Sequence, residues 1–212
     1  MAVTSLDSGK LIFSNAAYLR VTPYESEDKI GTKTYDIVSI VGDSLSFTPD
    51  DNAINSKEWE FGDTPLVETV TLGKIQFAAT CVDFQNEILK NIFGWTEGDK
   101  SKAIYAPNAY KDIYALVEVG FTNEDVVLVV PKLKLNSKAV VSTLKTGTGE
   151  GQLAGTAYAA KITAGQDTDA TETPMGIIPE NADTYKVTVG GGTATVTMGD
   201  DTKYTVVWAD AE

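Results

Sequence analysis

The amino-acid sequence is short of the residues on which most enzyme chemistry depends. Among 212 residues there is no histidine and one cysteine, Cys81. Without histidine the chain lacks the commonest general base and metal ligand, and a cysteine nucleophile lacks its usual partner. A lone cysteine also excludes an intramolecular disulfide, and its apolar sequence neighbours favour a buried, unreactive side chain. We therefore expect no enzymatic activity, no catalytic residues, no metal site and no cofactor.

Positive charge is scarce, and nearly all of it is lysine. The chain has 17 lysines and arginines against 30 aspartates and glutamates, for a formal net charge of −13, and Arg20 is the only arginine. Proteins that grip nucleic acids displace phosphate counterions with cations and favour arginine for base contacts. Binding to DNA or to an anionic membrane surface is therefore not expected, whereas an acidic surface tolerates DNA without holding it.

Long apolar runs are also missing. No segment reaches the roughly 18 consecutive apolar residues typical of a membrane-spanning helix. Residues 1–10 lack the basic stretch and the following apolar stretch of a secretory signal. We therefore expect the chain in a cytosol-like compartment, without a membrane partner.

Alternation of apolar and polar residues, the signature of β-strands, runs through most of the chain. A β-prone stretch, Leu11–Thr22, ends at Pro23, and Ile113–Phe121 alternates strictly, which predicts a half-buried strand. Val126–Val130 is unbroken apolar sequence and predicts a strand covered on both faces. With the polar turn between them, the last two stretches predict a hairpin.

One helix and a C-terminal meander complete the predicted elements. Apolar residues recur at helical spacing over residues 83–93, with Asp83 as the cap and Gly94 just beyond the end. After residue 183, three alternating stretches are separated by Gly190–Gly192 and by Gly199–Asp201, and glycine supplies the positive φ of tight turns. This pattern predicts a three-stranded β-meander.

The segment Pro49–Pro65 is predicted to be a long loop that contacts another subunit. It is longer than most connections in compact domains, and it is acidic, yet it carries aromatic side chains. Buried aromatic side chains dominate the energetics of protein interfaces. Two interpretations stay open: the apolar side chains fold back onto their own domain, or the loop forms a subunit interface. The candidate interface residues are Ile54, Trp59, Phe61, Asp50 and Asp51.

The predicted elements follow a fixed order along the chain. This order is a β-rich start, a strand–loop–strand unit over residues 35–80, a helix at 83–93 and paired strands from 110 to 162. Four segments within this order are distinctive: Gly42–Pro49 (GDSLSFTP), Glu60–Asp63 (EFGD), Ala115–Phe121 (ALVEVGF) and Gly155–Ala160 (GTAYAA). Together they resemble the bacteriophage major tail protein, or tail tube, family, and the resemblance covers about residues 1–178.

The resemblance implies a mainly β fold: a β-sandwich or barrel-like tail tube domain over residues 1–178 with one flanking α-helix. Residues 179–212, the C-terminal three-stranded meander, depart from the family pattern and are predicted to be an extension. The resemblance further implies a structural protein of the virion tail that assembles in the host cytoplasm. Its copies would form hexameric rings, stacked around a lumen. The tape-measure protein and viral DNA would pass through without specific binding, and tail terminator and baseplate proteins would contact the tube ends.

Two functions of other classes stay open from the sequence. A β-sandwich carbohydrate-binding or adhesin module would use exposed Trp59, Trp95 or Trp208 as platforms for sugar rings. An acidic hydrolase would use neighbouring carboxylates such as Asp50 and Asp51 as an acid–base pair. Such pairs arise freely on the solvated faces of a chain with 30 acidic residues, so a surface role is favoured for them.

Overall fold

The computed structural model describes residues 16–37, 39–51, 53–59, 62–71, 74–82, 85–108, 112–122, 125–140, 150–179, 182–199 and 204–211. For residues 53–59, 62–71 and 139–140 it describes the backbone alone. The described part is mainly β, with one short helix, which confirms the predicted fold class at that level.

The strands and the helix are bounded as follows. In chain order they are β1 Ala16–Ser26, β2 Lys29–Ile30, β3 Tyr35–Ile37, β4 Ser46–Pro49, β5 Ala53–Trp59, β6 Gly62–Thr71, β7 Ile75–Cys81, α1 Asn86–Asn91, β8 Thr96–Glu97, β9 Ile104–Tyr105, β10 Ile113–Phe121, β11 Val126–Leu135, β12 Lys138–Val140, β13 Glu150–Tyr158, β14 Ala160–Ala164, β15 Thr171–Thr173, β16 Gly176–Pro179, β17 Thr184–Val189, β18 Gly192–Thr197 and β19 Thr205–Asp210.

The largest sheet closes into a barrel. Strands β1, β10, β11, β13 and β7 are hydrogen-bonded neighbours in this order. Strand β3 and residues 39–41 complete the circuit, because β3 pairs with β1 and Ile40 bridges to Cys81 at the end of β7. Two backbone hydrogen bonds of 2.8 and 2.9 Å flank that bridge. Strand β4 continues beside β7 beyond this closure.

Side chains from alternate positions of these strands pack into one core inside the barrel. Leu19, Val117 and Val130 come from different strands and are fully buried in it. The helix α1 adds Ile88 to the same core. Cys81 also lies there with no exposed surface, which confirms the prediction that it is a buried apolar side chain. A small barrel packed in this way has a solid interior.

A second, five-stranded sheet has the order β15-β14-β17-β18-β19. The chain enters it directly from the barrel, since Ala159 alone separates β13 from β14. Strands β17, β18 and β19 form the predicted three-stranded meander, which is thereby confirmed. The meander extends strands β14 and β15, which precede residue 179, so one sheet includes residues from both sides of the predicted domain boundary.

A second core lies between the five-stranded sheet and the outer face of β10 and β11. Leu116 and Val129 from the barrel pack there with Tyr185, Val187 and other residues of the meander. Strand β11 is therefore buried on both faces, as its unbroken apolar run predicted, and it forms the predicted hairpin with β10. The prediction that β10 is half-buried was wrong, because the meander covers the face that alternation assigned to solvent.

Two predicted boundaries also differ from the structure. Strand β1 does not end at Pro23 but continues to Ser26, because the Pro23 carbonyl still accepts a hydrogen bond, from Gly31 N at 3.1 Å. The helix, predicted over residues 83–93, is shorter at Asn86–Asn91. It ends where two successive backbone N–H groups donate to the same carbonyl, that of Ile88. Gly94 has a φ of 71°, consistent with its predicted place beyond the helix, and Asp83 lies outside the described residues.

Candidate assembly interface

A two-stranded arm continues the pairing of β4 with β7. These strands pair as far as Pro49, and Asp50 N then donates to Lys74 O at 2.8 Å. Pairing resumes at Ala53 in β5 and continues to Trp59, opposite the start of β6. Strands β5 and β6 form a sheet of their own, and we call this hairpin the arm.

The arm corrects the prediction of a loop over residues 49–65. Seven residues of β5 and ten of β6 are extended and paired with each other, with irregular register near the tip. The physical reason is composition, because β6 is rich in threonine and valine, whose branched side chains favour extended backbone. The acidic residues of the segment had suggested a solvated loop, but a two-stranded ribbon accommodates them as well.

The predicted interface residues all belong to the arm or to its base, except one. Asp50 and Asp51 are exposed at the base, between β4 and β5. Ile54 and Trp59 lie on β5, Trp59 at its last position. Phe61 lies outside the described residues, between the two strands of the arm. The structure therefore places two of the five on β5 and two just before it in the chain, and their role in an interface stays a prediction.

Specific contacts fix the base of the arm to the barrel. Gln76 Nε2 donates to Asp50 Oδ2 at 2.7 Å, and Gln76 Oε1 accepts from Thr156 Oγ1 of β13 at 2.9 Å. The rings of Phe47 in β4 and Phe77 in β7 lie 5.2 Å apart, and Phe77 is buried in the barrel core. These contacts fix the ends of β4 and β7 that flank the arm in the chain.

The described backbone gives the arm no third strand. Its strands are hydrogen-bonded to each other and form no ladder with another strand in the described ranges. A two-stranded hairpin alone is at best marginally stable in water, and stability comes with a third strand or a packing surface. At about 3.4 Å per residue, the seven residues of β5 extend the ribbon by about 20 Å. A partner outside these strands would supply what the arm lacks.

Sequence reasoning missed a row of three charged side chains, two of them buried, which we call the polar row. Glu118 of β10 lies opposite Arg20 of β1, and Arg20 lies opposite Asp36 of β3. Glu118 is 1% exposed and Arg20 is 5% exposed, because the five-stranded sheet covers both. Alternation gave no warning, since a charged residue between Val117 and Val119 is what a solvent-facing position shows. The signal that was available is Leu116, an apolar residue on the same face.

A chain of ion pairs fixes the helix to its surroundings. Glu87 accepts from Lys33 at 2.6 Å and from Lys90 at 2.8 Å, and Lys90 also contacts Glu97 at 2.9 Å. The hydrogen bonds from Lys33 and then from Lys90 lower the pKa of Glu87 to about 2. Because Lys33 and Glu87 are exposed to solvent, their pair contributes little to stability.

Two of the three tryptophans considered as platforms for sugar rings pack against the protein's own cores. Trp95 packs against the barrel core and its indole nitrogen is buried. Trp208 packs against the second core, and its Nε1 donates to Asp210 at 2.8 Å. Both rings are therefore half-buried parts of the fold, which gives a carbohydrate-binding role little support from them.

Among the residues that the structure describes, no group of three or more histidine, cysteine, aspartate or glutamate side chains is placed to hold a metal ion. Within the same ranges, no helix has the length and apolar character needed to cross a membrane.

A scan against models of protein families finds no match, and a search of curated proteins finds no significant match either. Function is therefore inferred from the geometry of the chain itself.

Proposed function

We propose that this chain is the structural subunit of a bacteriophage tail tube, assembling in the host cytoplasm into stacked, hexameric rings around a lumen. In this role the barrel is the ring-forming body, and the arm reaches a neighbouring subunit or ring. The tape-measure protein and viral DNA pass through the lumen without specific binding, and the tail terminator and baseplate proteins contact the tube ends.

The observation that carries the proposal is the arm. Its two strands pair only with each other among the described strands, and its sequence has Ile54, Trp59 and Phe61 among acidic residues. Apolar side chains of this kind stabilise an interface when they enter a pocket on a partner and are desolvated there. Asp50 and Asp51 at the exposed base are placed for the polar rim of the same interface.

Charge and packing support the same role. The barrel interior is filled by side chains from all of its strands, which suits a rigid building block. A net charge of −13 with a single arginine disfavours adhesion to phosphate, so a lumen lined by this chain lets nucleic acid slide.

The test is assembly of the purified chain, followed by negative-stain microscopy and light scattering at increasing protein concentration. The wild-type chain is expected to form rings or tubes. The double variant Trp59→Ala, Phe61→Ala is expected to keep its circular dichroism spectrum and to remain small. The matched control is Tyr105→Ala, Val207→Ala, which removes two side chains that are 54% and 60% exposed outside the arm, and it should assemble normally.

Two outcomes would count against the proposal. A wild-type chain that stays monomeric at every concentration would refute the tube. Normal assembly of the Trp59→Ala, Phe61→Ala variant would leave a tube possible but would remove the arm as its contact.

A further inference from the structure

Two tyrosines, Tyr185 in β17 and Tyr204 just before β19, cover the polar row. The Tyr185 hydroxyl donates to Glu118 Oε1 at 2.6 Å. The Tyr204 ring lies over the Arg20 guanidinium at 4.6 Å, on which Tyr18 also packs at 4.3 Å. These contacts join β1 and β10 of the barrel to the meander, so the row lies in the seam between the two sheets.

Two buried polar atoms in this seam lack a well-formed hydrogen bond. They are Glu118 Oε2 and the Tyr204 hydroxyl oxygen. Both residues lie beside Arg20, since Glu118 is its cross-strand neighbour and the Tyr204 ring lies over its guanidinium. Burial and then the Glu118 carboxyl raise the pKa of Tyr204 well above its ordinary value, and the Thr22 and Thr34 hydroxyls lower it in part. A carboxyl oxygen and a hydroxyl can hydrogen-bond to each other, and either one can donate if the carboxyl carries a proton.

Charge decides which group carries the proton. Arg20 Nε donates to Asp36 Oδ1 at 2.7 Å, so Asp36, the more exposed of the two acids, takes the close ion pair. If Glu118 were also ionised, two carboxylates would flank one guanidinium, with the second anion almost completely out of water. Burial raises the pKa of Glu118; Tyr185, Tyr204 and Arg20 lower it in part, and Asp36 raises it further.

We propose that Glu118 keeps a proton in the folded chain and acts as a pH-dependent latch that fastens the five-stranded sheet to the barrel. The neutral carboxyl accepts from Tyr185 at Oε1 and donates from Oε2 to Tyr204. When the pH rises, the proton leaves to solvent, and the buried carboxylate that remains weakens the seam. The device is independent of tail assembly and belongs to the fold of the single chain.

The sign of the pH dependence follows from linkage. A carboxyl whose pKa is higher in the folded chain than its ordinary value of 4.5 binds more protons when folded than when unfolded. Its stabilising contribution is complete below 4.5 and is lost as the pH rises through the raised, folded pKa. The latch is therefore closed in mild acid and loosens in base.

Infrared difference spectroscopy tests the proton directly. At neutral pH the intact wild-type chain is expected to show the stretching band of a protonated carboxyl, and the band should vanish in Glu118→Gln. A wild-type chain without this band from about pH 5 upward would overturn the proposal, and this arm of the test needs no variant to fold.

Hydrogen exchange tests the latch. From about pH 5 upward, the protection factors of amides in β17, β18 and β19 should fall in the wild type by up to about tenfold per pH unit until the folded pKa is reached, and level off above it, because one proton is linked to opening only in that range. They should stay level in Glu118→Gln. The matched control Glu172→Gln, at an exposed position of β15 in the same sheet, should follow the wild type. Equal pH dependence in the wild type and Glu118→Gln would overturn the latch.

Discussion

Removing residues 180–212 is expected to unfold or aggregate the chain rather than to leave a trimmed barrel. The deletion takes away β17, β18 and β19 and with them one wall of the second core. Large aliphatic side chains on the remaining strands would become exposed. They are Leu116, Val127, Val129, Ile162 and Ile178. Glu118 would lose its bond from Tyr185 as well.

The size of the effect follows from burial. Fully burying one such aliphatic side chain is worth about 1.5–3 kcal/mol, so exposing five costs about 7–15 kcal/mol. This is an upper estimate, because an unfolded chain is not fully extended. It still equals the whole free energy of unfolding of a typical domain, about 5–15 kcal/mol. The truncated chain therefore has little or no stability left.

Circular dichroism, urea unfolding and binding of an apolar dye to the full and truncated chains measure this loss. The control replaces the arm, residues 53–71, by a short glycine–serine link. Because the arm forms a sheet of its own, the control should unfold cooperatively near the wild-type midpoint. A truncated chain with the wild-type midpoint would show that the second core contributes nothing, and the meander would then be a dispensable decoration.

Three further predictions concern single side chains. Gly155→Ala would place a Cβ 2.5 Å from a backbone carbonyl oxygen of β11 and should lower the free energy of unfolding by about 1–3 kcal/mol in urea, whereas Gly42→Ala, with open space around it, should change little. Glu87 should titrate by NMR with a pKa of about 2 at low salt and higher at high salt; its stabilising effect, present above 4.5, is lost as the pH falls towards 2, and a low-salt pKa near 4.5 would contradict the ion pairs. Tyr185→Phe removes the donor to Glu118 and should cost about 1–3 kcal/mol, and an unchanged urea midpoint would refute the contact.

Local patterns in the sequence were sufficient to predict elements whose own residues determine them. The strict alternation of Ile113–Phe121 and the unbroken run Val126–Val130 predicted the central hairpin, and glycines at 190–192 marked a turn of the meander. In each case the turn residues and the apolar period lie within about twenty residues of one another, so no distant contact is needed to read them.

Burial by a distant segment could not be predicted in this way. Glu118 lies between two apolar residues in the sequence, which is the pattern of a strand with one face in solvent. It is buried because the meander, some 70 residues later, covers that face. The strands of the arm were not predicted for a different reason. Its acidic residues resemble those of a solvated loop, and the prediction gave them more weight than the threonine and valine of β6, which favour extended backbone. Periodicity in the sequence shows which residues of one strand share a face. Whether that face is buried depends on which other element packs against it.

The barrel and the five-stranded sheet differ from the arm in how many pairing partners their strands have, and this difference bears on assembly. Strands β10 and β11 are buried on both faces, and the barrel closes on itself, so these parts meet their packing needs within one chain. Among the described strands, the arm is the longest pair that gains no third strand. A contact between the arm of one copy and a different surface of the next is heterologous, and repeated contacts of that kind close into a ring or continue as a helix. Either outcome gives each arm a partner and leaves none unpaired except at an end. Of the described strands, those of the arm are therefore the best suited to the assembly proposed above.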